Sequence, residues 1–167
     1  SVETNIDDVK NVAVIGAGNM GHQISLLCAI NGYKTKCTDV KEDILKKAEA
    51  FVDNYLPGRV KKGRMTEEQA KAARDNITFV PSMKEAVQDA DFVIEAVLEI
   101  LDLKRKIYAD LDKMTPAHAI LATNSSAIVS SKIADVTKRP EKVCNMHFFN
   151  PALVMNLVEV VQGPHTS

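Results

Sequence analysis

The sequence predicts an α/β protein built on a doubly wound parallel sheet. Short apolar runs alternate with segments of helical periodicity along the chain, the pattern of βαβ crossovers. The first apolar run leads straight into a glycine-rich turn, Gly16-Ala17-Gly18-Asn19-Met20-Gly21. Polar residues able to do chemistry gather just past the ends of later apolar runs.

The first strand is Asn11–Ile15, NVAVI. From Asn19 to Ile30, Met20, Ile24, Leu27 and Cys28 recur at helical spacing. Asn31-Gly32 ends this helix, glycine being the usual residue just past a helix C-terminus. Tyr33–Thr38 reads as the second strand, with Asp39 behind it. Farther on, Ile77–Val80 is a strand closed by Pro81, and Met83–Ala90 a helix. Asp91–Val97 (DFVIEAV) is a buried strand. Leu101–Met114 is a helix with Leu103, Ile107, Tyr108 and Leu111 on one face, stopped before Pro116. Ala119–Thr123 is a strand, Ile128–Val136 a helix, and Lys142–Phe148 a strand. A last strand, Leu157–Val161, is stopped by Gly163-Pro164. Right-handed crossovers turn this order into a sheet of about six strands, the Rossmann arrangement of two mononucleotide-binding halves.

The connection from Asp39 to Ile77 is about three times longer than the dozen residues a crossover needs. Glu42–Tyr55 is helical, and Thr66-Glu67-Glu68-Gln69 has the form of a capping box opening another helix. The stretch therefore predicts a helical hairpin arm. Pro57-Gly58 falls inside it and predicts a kink or an early stop.

The length, 167 residues, suits one domain. A net charge of −1 gives no bulk attraction to nucleic acid or to an anionic membrane surface. No apolar run approaches the roughly 20 residues that span a bilayer, and SVETNIDDVK at the start has no secretory character. Cys28, Cys37 and Cys144 are scattered. That argues for small apolar filler in a reducing compartment, against a disulfide framework, and for no metal site.

Gly16, Gly18 and Gly21 fit the dinucleotide fingerprint. The first permits a tight turn, the second a close approach of pyrophosphate, and the third close packing of helix on strand. Asn19 and Met20 stand at the helix N-terminus, whose N–H groups and positive dipole end suit phosphates. Asp39 sits about 20 residues on, where a carboxylate accepts from ribose hydroxyls and repels the extra phosphate of NADP. The cofactor expected is NAD; the competing role for Asp39 is a helix N-cap. Glu99, Asn124, Ser125, Ser126 and His147 follow the carboxyl ends of strands, where ligands of open α/β sheets bind. His147 is a candidate acid/base for alcohol oxidation. Glu159 interrupts the apolar run LVEVV, where a carboxylate needs a partner, and an imidazolium is a natural one. A core histidine and a solvent-facing glutamate are the alternatives.

With VAVIGAGNMG, VIEAVLE, TNSSAI and HFFNPALVMNLVEVV together, the sequence resembles the 3-hydroxyacyl-CoA dehydrogenase family. The resemblance implies His147 as catalytic acid/base, Glu159 as the carboxylate that orients it, and Ser126 at the substrate's 3-oxygen. It implies Asn150 and Asn124 as polar lining, and Glu99 and Lys104 beside the nicotinamide and its ribose. It further implies hydride transfer between NAD and C3 of an L-3-hydroxyacyl-CoA, as in fatty-acid β-oxidation. The substrate's CoA nucleotide would meet the arm, where Arg59, Lys61, Lys62 and Arg64 lie. The family's helical substrate and dimerisation domain is expected to be absent from residues 1–167, leaving this chain weakly active or inactive alone and its parent a homodimer. The cytoplasm is the expected location, or the mitochondrial matrix in a eukaryote. A related hydroxy-acid dehydrogenase and a non-catalytic nucleotide-binding module are the competing readings.

Overall fold

The computed structural model describes residues 8–97, 100–124, 132–146, 148 and 152–154. The described strands are β1 (Asn11–Ile15), β2 (Lys34–Thr38), β3 (Ile77–Val80), β4 (Phe92–Glu95), β5 (Ile120–Thr123) and β6 (Val143–Asn145). They form one parallel sheet in the order β3-β2-β1-β4-β5-β6. The order reverses between β1 and β4, which opens a crevice at their carboxyl ends. The predicted last strand, Leu157–Val161, lies outside the described residues.

The period-two alternation of the strands feeds two cores. Val12, Val14, Phe92 and Ile94 face Ile24, Leu27 and Cys28 of α1 (Asn19–Ile30). Ala13, Ile15, Val93 and Leu121 face the other way, onto Val87 of α4 (Met83–Val87) and Tyr108 and Leu111 of α5 (Leu101–Met114). α1 ends as its sequence predicts. Gly32 takes φ +91°, and the Gly32 and Tyr33 N–H groups donate to the carbonyls of Ala29 and Cys28. Burial pushes the Cys28 and Cys37 thiols up to about 12, which suits filler rather than reactive groups.

The arm consists of α2 (Glu42–Lys61) and α3 (Glu67–Asp75). Leu45, Ala48, Val52 and Leu56 form the buried stripe of α2. Val52 and Leu56 pack with Leu26 and Ala29 of α1 and Ala73 of α3. Arg74 ties the hairpin by its bonds to Asp53 (2.7 Å) and Glu49 (3.2 Å). The capping box at Thr66 forms with both of its bonds at 3.0 Å.

Two expectations are corrected in part. Of the kink or early stop expected at Pro57-Gly58, the stop does not occur: the helix runs on to Lys61. Proline there removes one helical N–H, while Val52 and Leu56 already fasten the preceding turns to the body of the protein. The stop falls at Gly63, which has φ +69° and passes its N–H to the Val60 carbonyl, with Arg64 N–H on Arg59. Of the predicted helix Ile128–Val136 only residues 132–136 are described, and there Ala134–Val136 form a 3-10 turn. The Lys132 carbonyl, which an α-helix would give to the Val136 N–H, is taken at 2.6 Å by the Arg105 guanidinium; Val136 bonds Ile133 instead.

The amino edge of the sheet carries two polar clamps. The Asp91 carboxylate accepts from the Lys10 and Asn11 N–H groups, both at 2.9 Å, and meets the His118 ring at 2.8 Å. Burial pushes its carboxyl up, but the His118 ring and the two N–H groups outweigh this and hold it below the usual carboxylate range. The Arg139 guanidinium, nearly buried, donates to the Asp112 carboxylate (2.9 Å) and to the carbonyls of Asp112, Pro116 and Ala119. It joins the end of α5 to the approaches of β5 and β6. Arg139→Met leaves the Asp112 carboxylate half of a broken buried pair. The expected loss is about 3–5 kcal/mol in urea unfolding; a loss below about 1 kcal/mol would show that water replaces the clamp.

Candidate cofactor-binding site

The site is built where β1 turns into α1. Gly16 has φ +107°, and a Cβ there would lie 2.6 Å from the Ala96 carbonyl oxygen at the exit of β4. A Cβ on Gly21 would lie 1.7 Å from the Gly16 carbonyl oxygen. These two glycines are required by the protein's own packing. Gly18 differs: it has an extended conformation, and a Cβ would meet nothing within 4 Å. The turn therefore presents a bare backbone to open space at the N-terminus of α1. No side chain caps that helix and no acidic residue stands in its first turn. Such an end attracts an anion through its N–H groups and dipole. Asn19 accepts at 3.0 Å from Gln23, and Gln23 in turn accepts from the Ala152 N–H at 2.8 Å. Met20 is half-buried against the α1 side of the core.

Asp39 closes the other side of the turn. Its Oδ2 accepts from the Ala17 N–H and its Oδ1 from the Lys41 N–H, both at 2.9 Å. The residue before α2 is Lys41, and no side chain caps that helix, so Asp39 is not its N-cap. One N–H on each oxygen leaves lone pairs for a diol. A carboxylate with acceptor sites to spare thus sits beside a turn open to an anion, and the residues present fit a dinucleotide.

At the exits of β4 and β5 a polar cluster is shut away from solvent. Lys104 Nζ lies 3.1 Å from Glu95 Oε1 and 3.2 Å from Thr123 Oγ1, and all three side chains belong to wholly buried residues. Lys104, expected beside the nicotinamide ribose, has its ammonium engaged inside this cluster. Asn124 is half-buried at the end of β5, its N–H on the Glu95 carbonyl at 2.8 Å. Sequence reading missed Glu95 and Thr123. The signal was present: a carboxylate in the apolar strand DFVIEAV needs a buried partner. Gln23 left no such signal, since a lone amide on a helix is unremarkable.

Glu99, Ser125, Ser126, His147, Asn150 and Glu159 lie outside the described residues. The neighbours of His147 are described: Met146 and Phe148 are buried in the α1-side core, and the Met146 N–H bonds the Thr123 carbonyl at 3.0 Å. Among the described residues no three His, Cys, Asp or Glu side chains are grouped to hold a metal ion. Nor is any described helix long and apolar enough to cross a membrane.

A parallel sheet with its switch point at a fingerprint turn, and a carboxylate at the end of the next strand, define a dinucleotide-binding domain. Comparison with known proteins narrows the class. Residues 11–167 match the family described as 3-hydroxyacyl-CoA dehydrogenase, NAD binding domain, and the chain belongs to that family. It is 37% identical over 160 residues to a probable 3-hydroxybutyryl-CoA dehydrogenase of Bacillus subtilis, covering 96% of this chain and 55% of that one. It is 39% identical over 159 residues to a glyoxysomal fatty acid β-oxidation multifunctional protein of Brassica napus, covering 95% of this chain but 22% of that one. The crystal structure of an Escherichia coli 3-hydroxybutyryl-CoA dehydrogenase superposes with a TM-score of 0.85 at 36% identity, over 89% of this chain and 31% of that one. The chain thus spans between about a fifth and about half of these curated relatives.

Proposed function

We propose that this chain is the cofactor-binding part of an NAD-dependent L-3-hydroxyacyl-CoA dehydrogenase, interconverting the 3-hydroxy and 3-keto acyl-CoA. The observation that carries the reading is the Asp39 carboxylate bonded to Ala17 N–H beside the open face of Gly18. When bound, the nicotinamide supplies the acceptor for the hydride that leaves C3. The chain's residues do the rest. The turn Gly16–Gly21 and the α1 N-terminus take the pyrophosphate, with Asn19 and Met20 beside it, and Asp39 takes the ribose. His147 takes the hydroxyl proton, and Glu159 steadies the imidazolium that results. Ser126 holds the 3-oxygen; Asn150 and Asn124 line the same pocket. Glu99 and Lys104 support the nicotinamide end, Lys104 from within the buried cluster.

The CoA nucleotide is assigned to the arm. Lys61, Lys62 and Arg64 are exposed there, and Arg59 lies 5.9 Å over the Tyr55 ring. The remainder of the substrate cleft and a homodimer contact are assigned to a helical domain of the family type. Such an enzyme works in the cytoplasm, or in the mitochondrial matrix of a eukaryote.

The test is cofactor choice. NADH should bind the chain at least about tenfold more tightly than NADPH, because like charges a few ångströms apart near a protein surface repel by more than about 1.4 kcal/mol. Fluorescence titration with both cofactors decides it. Equal affinities, or tighter NADPH, would remove Asp39 from the ribose. Reduction of acetoacetyl-CoA by the intact protein, with free 3-keto acids as controls, tests the substrate class.

A further inference from the structure

The buried cluster at the exits of β4 and β5 has a geometry that core filling does not require. Glu95 Oε1 pairs with Lys104 and accepts the Thr123 hydroxyl at 2.8 Å, while Oε2 accepts the Val97 N–H at 2.8 Å. The main chain continues the pattern. Asn124 N–H bonds the Glu95 carbonyl, and Met146 N–H bonds the Thr123 carbonyl. One carboxylate is therefore fastened to the β4 exit and to β5, and through Thr123 to the β6 exit. Those three exits lead into the segments that carry Glu99, Asn124 to Ser126, and His147. A buried ion pair is a poor source of stability, since apolar replacement is often neutral or stabilising. The neighbouring strand positions Ile94 and Ala122 are apolar and buried, so an ion pair at this level serves something other than packing.

We propose that Glu95 is a positioning residue for the nicotinamide end of the site: its carboxylate sets the three strand exits relative to one another and neutralises Lys104 inside the protein. Facing the pair from α5 is the Tyr108 phenol, while the Cys144 thiol on β6 packs with the core on the other face of the sheet. Burial, reinforced by the Glu95 charge, holds the phenol well above its ordinary range, and burial pushes the thiol up to about 11. β1 and β5 contribute no ionisable side chain here.

The proposal rests on the NAD reading above, and the experiment separates the two. NADH affinity is measured for the native chain, Glu95→Gln and Glu95→Asp, alongside thermal unfolding. Glu95→Gln should bind about tenfold more weakly, because the ammonium is left buried without its counter-charge. Glu95→Asp keeps the counter-charge and should bind at least about threefold more tightly than Glu95→Gln. A packing role alone would rank the isosteric glutamine above the shorter aspartate. If the native chain itself fails to bind NADH, the cofactor reading falls. If it binds and folded Glu95→Gln matches it, the positioning role is overturned. Should Glu95→Gln not fold, Thr123→Val keeps the Glu95–Lys104 ion pair and removes the hydroxyl that donates to Glu95 and accepts from Lys104. It should weaken NADH about threefold to tenfold, the net worth of one ordinary hydrogen bond, and native affinity in that variant overturns the proposal.

Discussion

Gly18→Val is expected to fold and to lose NADH binding, whereas Gly21→Val is expected not to fold. The two glycines lie three residues apart in one motif, and their surroundings make the difference. A Cβ on Gly21 would stand 1.7 Å from the Gly16 carbonyl oxygen, a backbone atom that cannot move aside without opening the β1–α1 turn. The cost exceeds about 5 kcal/mol, beyond the ordinary range for one substitution. Gly18 has open space around its absent side chain and a conformation that any residue adopts. Valine there should cost no more than about 1 kcal/mol, mainly as a poorer N-cap. Its branched side chain would fill the space a pyrophosphate needs, so NADH affinity should fall by about a hundredfold or more, the loss of close contact with an anion at a helix N-terminus. Urea unfolding and NADH fluorescence separate the effects. Native NADH affinity in Gly18→Val would mean that the cofactor does not cross this turn.

In the intact protein, His147→Gln should lower kcat for acetoacetyl-CoA reduction by about 10²–10⁴, the usual worth of a positioned acid/base. NADH affinity should change less than about twofold, because the glycine turn and Asp39 hold the cofactor. Glutamine keeps roughly the size and a hydrogen-bonding end but cannot carry the proton. The pH profile of kcat/KM should also lose the limb that a titrating imidazole imposes. Near-native turnover would show that another group moves the proton.

The fold was legible because its signals are local and repeated. Five-residue apolar runs, Asn31-Gly32 and the capping box at Thr66 each dictate structure within a few residues, and the six described strands fall within the predicted ones. Where sequence reading went wrong, a distant partner decided. Arg105 takes the carbonyl that a helix over Ile128–Val136 would have used. Packing of Val52 and Leu56 carries α2 through a proline that local rules read as a kink or an early stop. At the site, Gly16, Gly18, Gly21 and Asp39 could be read because their spacing encodes one turn and one strand end. Glu95 showed in the sequence only as a carboxylate in need of a partner, and Thr123 and Gln23 not at all, because the partners are 28 and 129 residues away. Only folding reveals such pairings.

The Asp91 and Arg139 clamps stand at the amino edge of the sheet, opposite the glycine turn. Durability and chemistry are thereby separated by the length of the strands. A protein engineer seeking a hardier catalyst can rework the clamp edge, adding staples or trimming loops, with the opposite rim untouched. Evolution has the same freedom: ligand preference can drift at one rim while the other supplies a constant margin against unfolding.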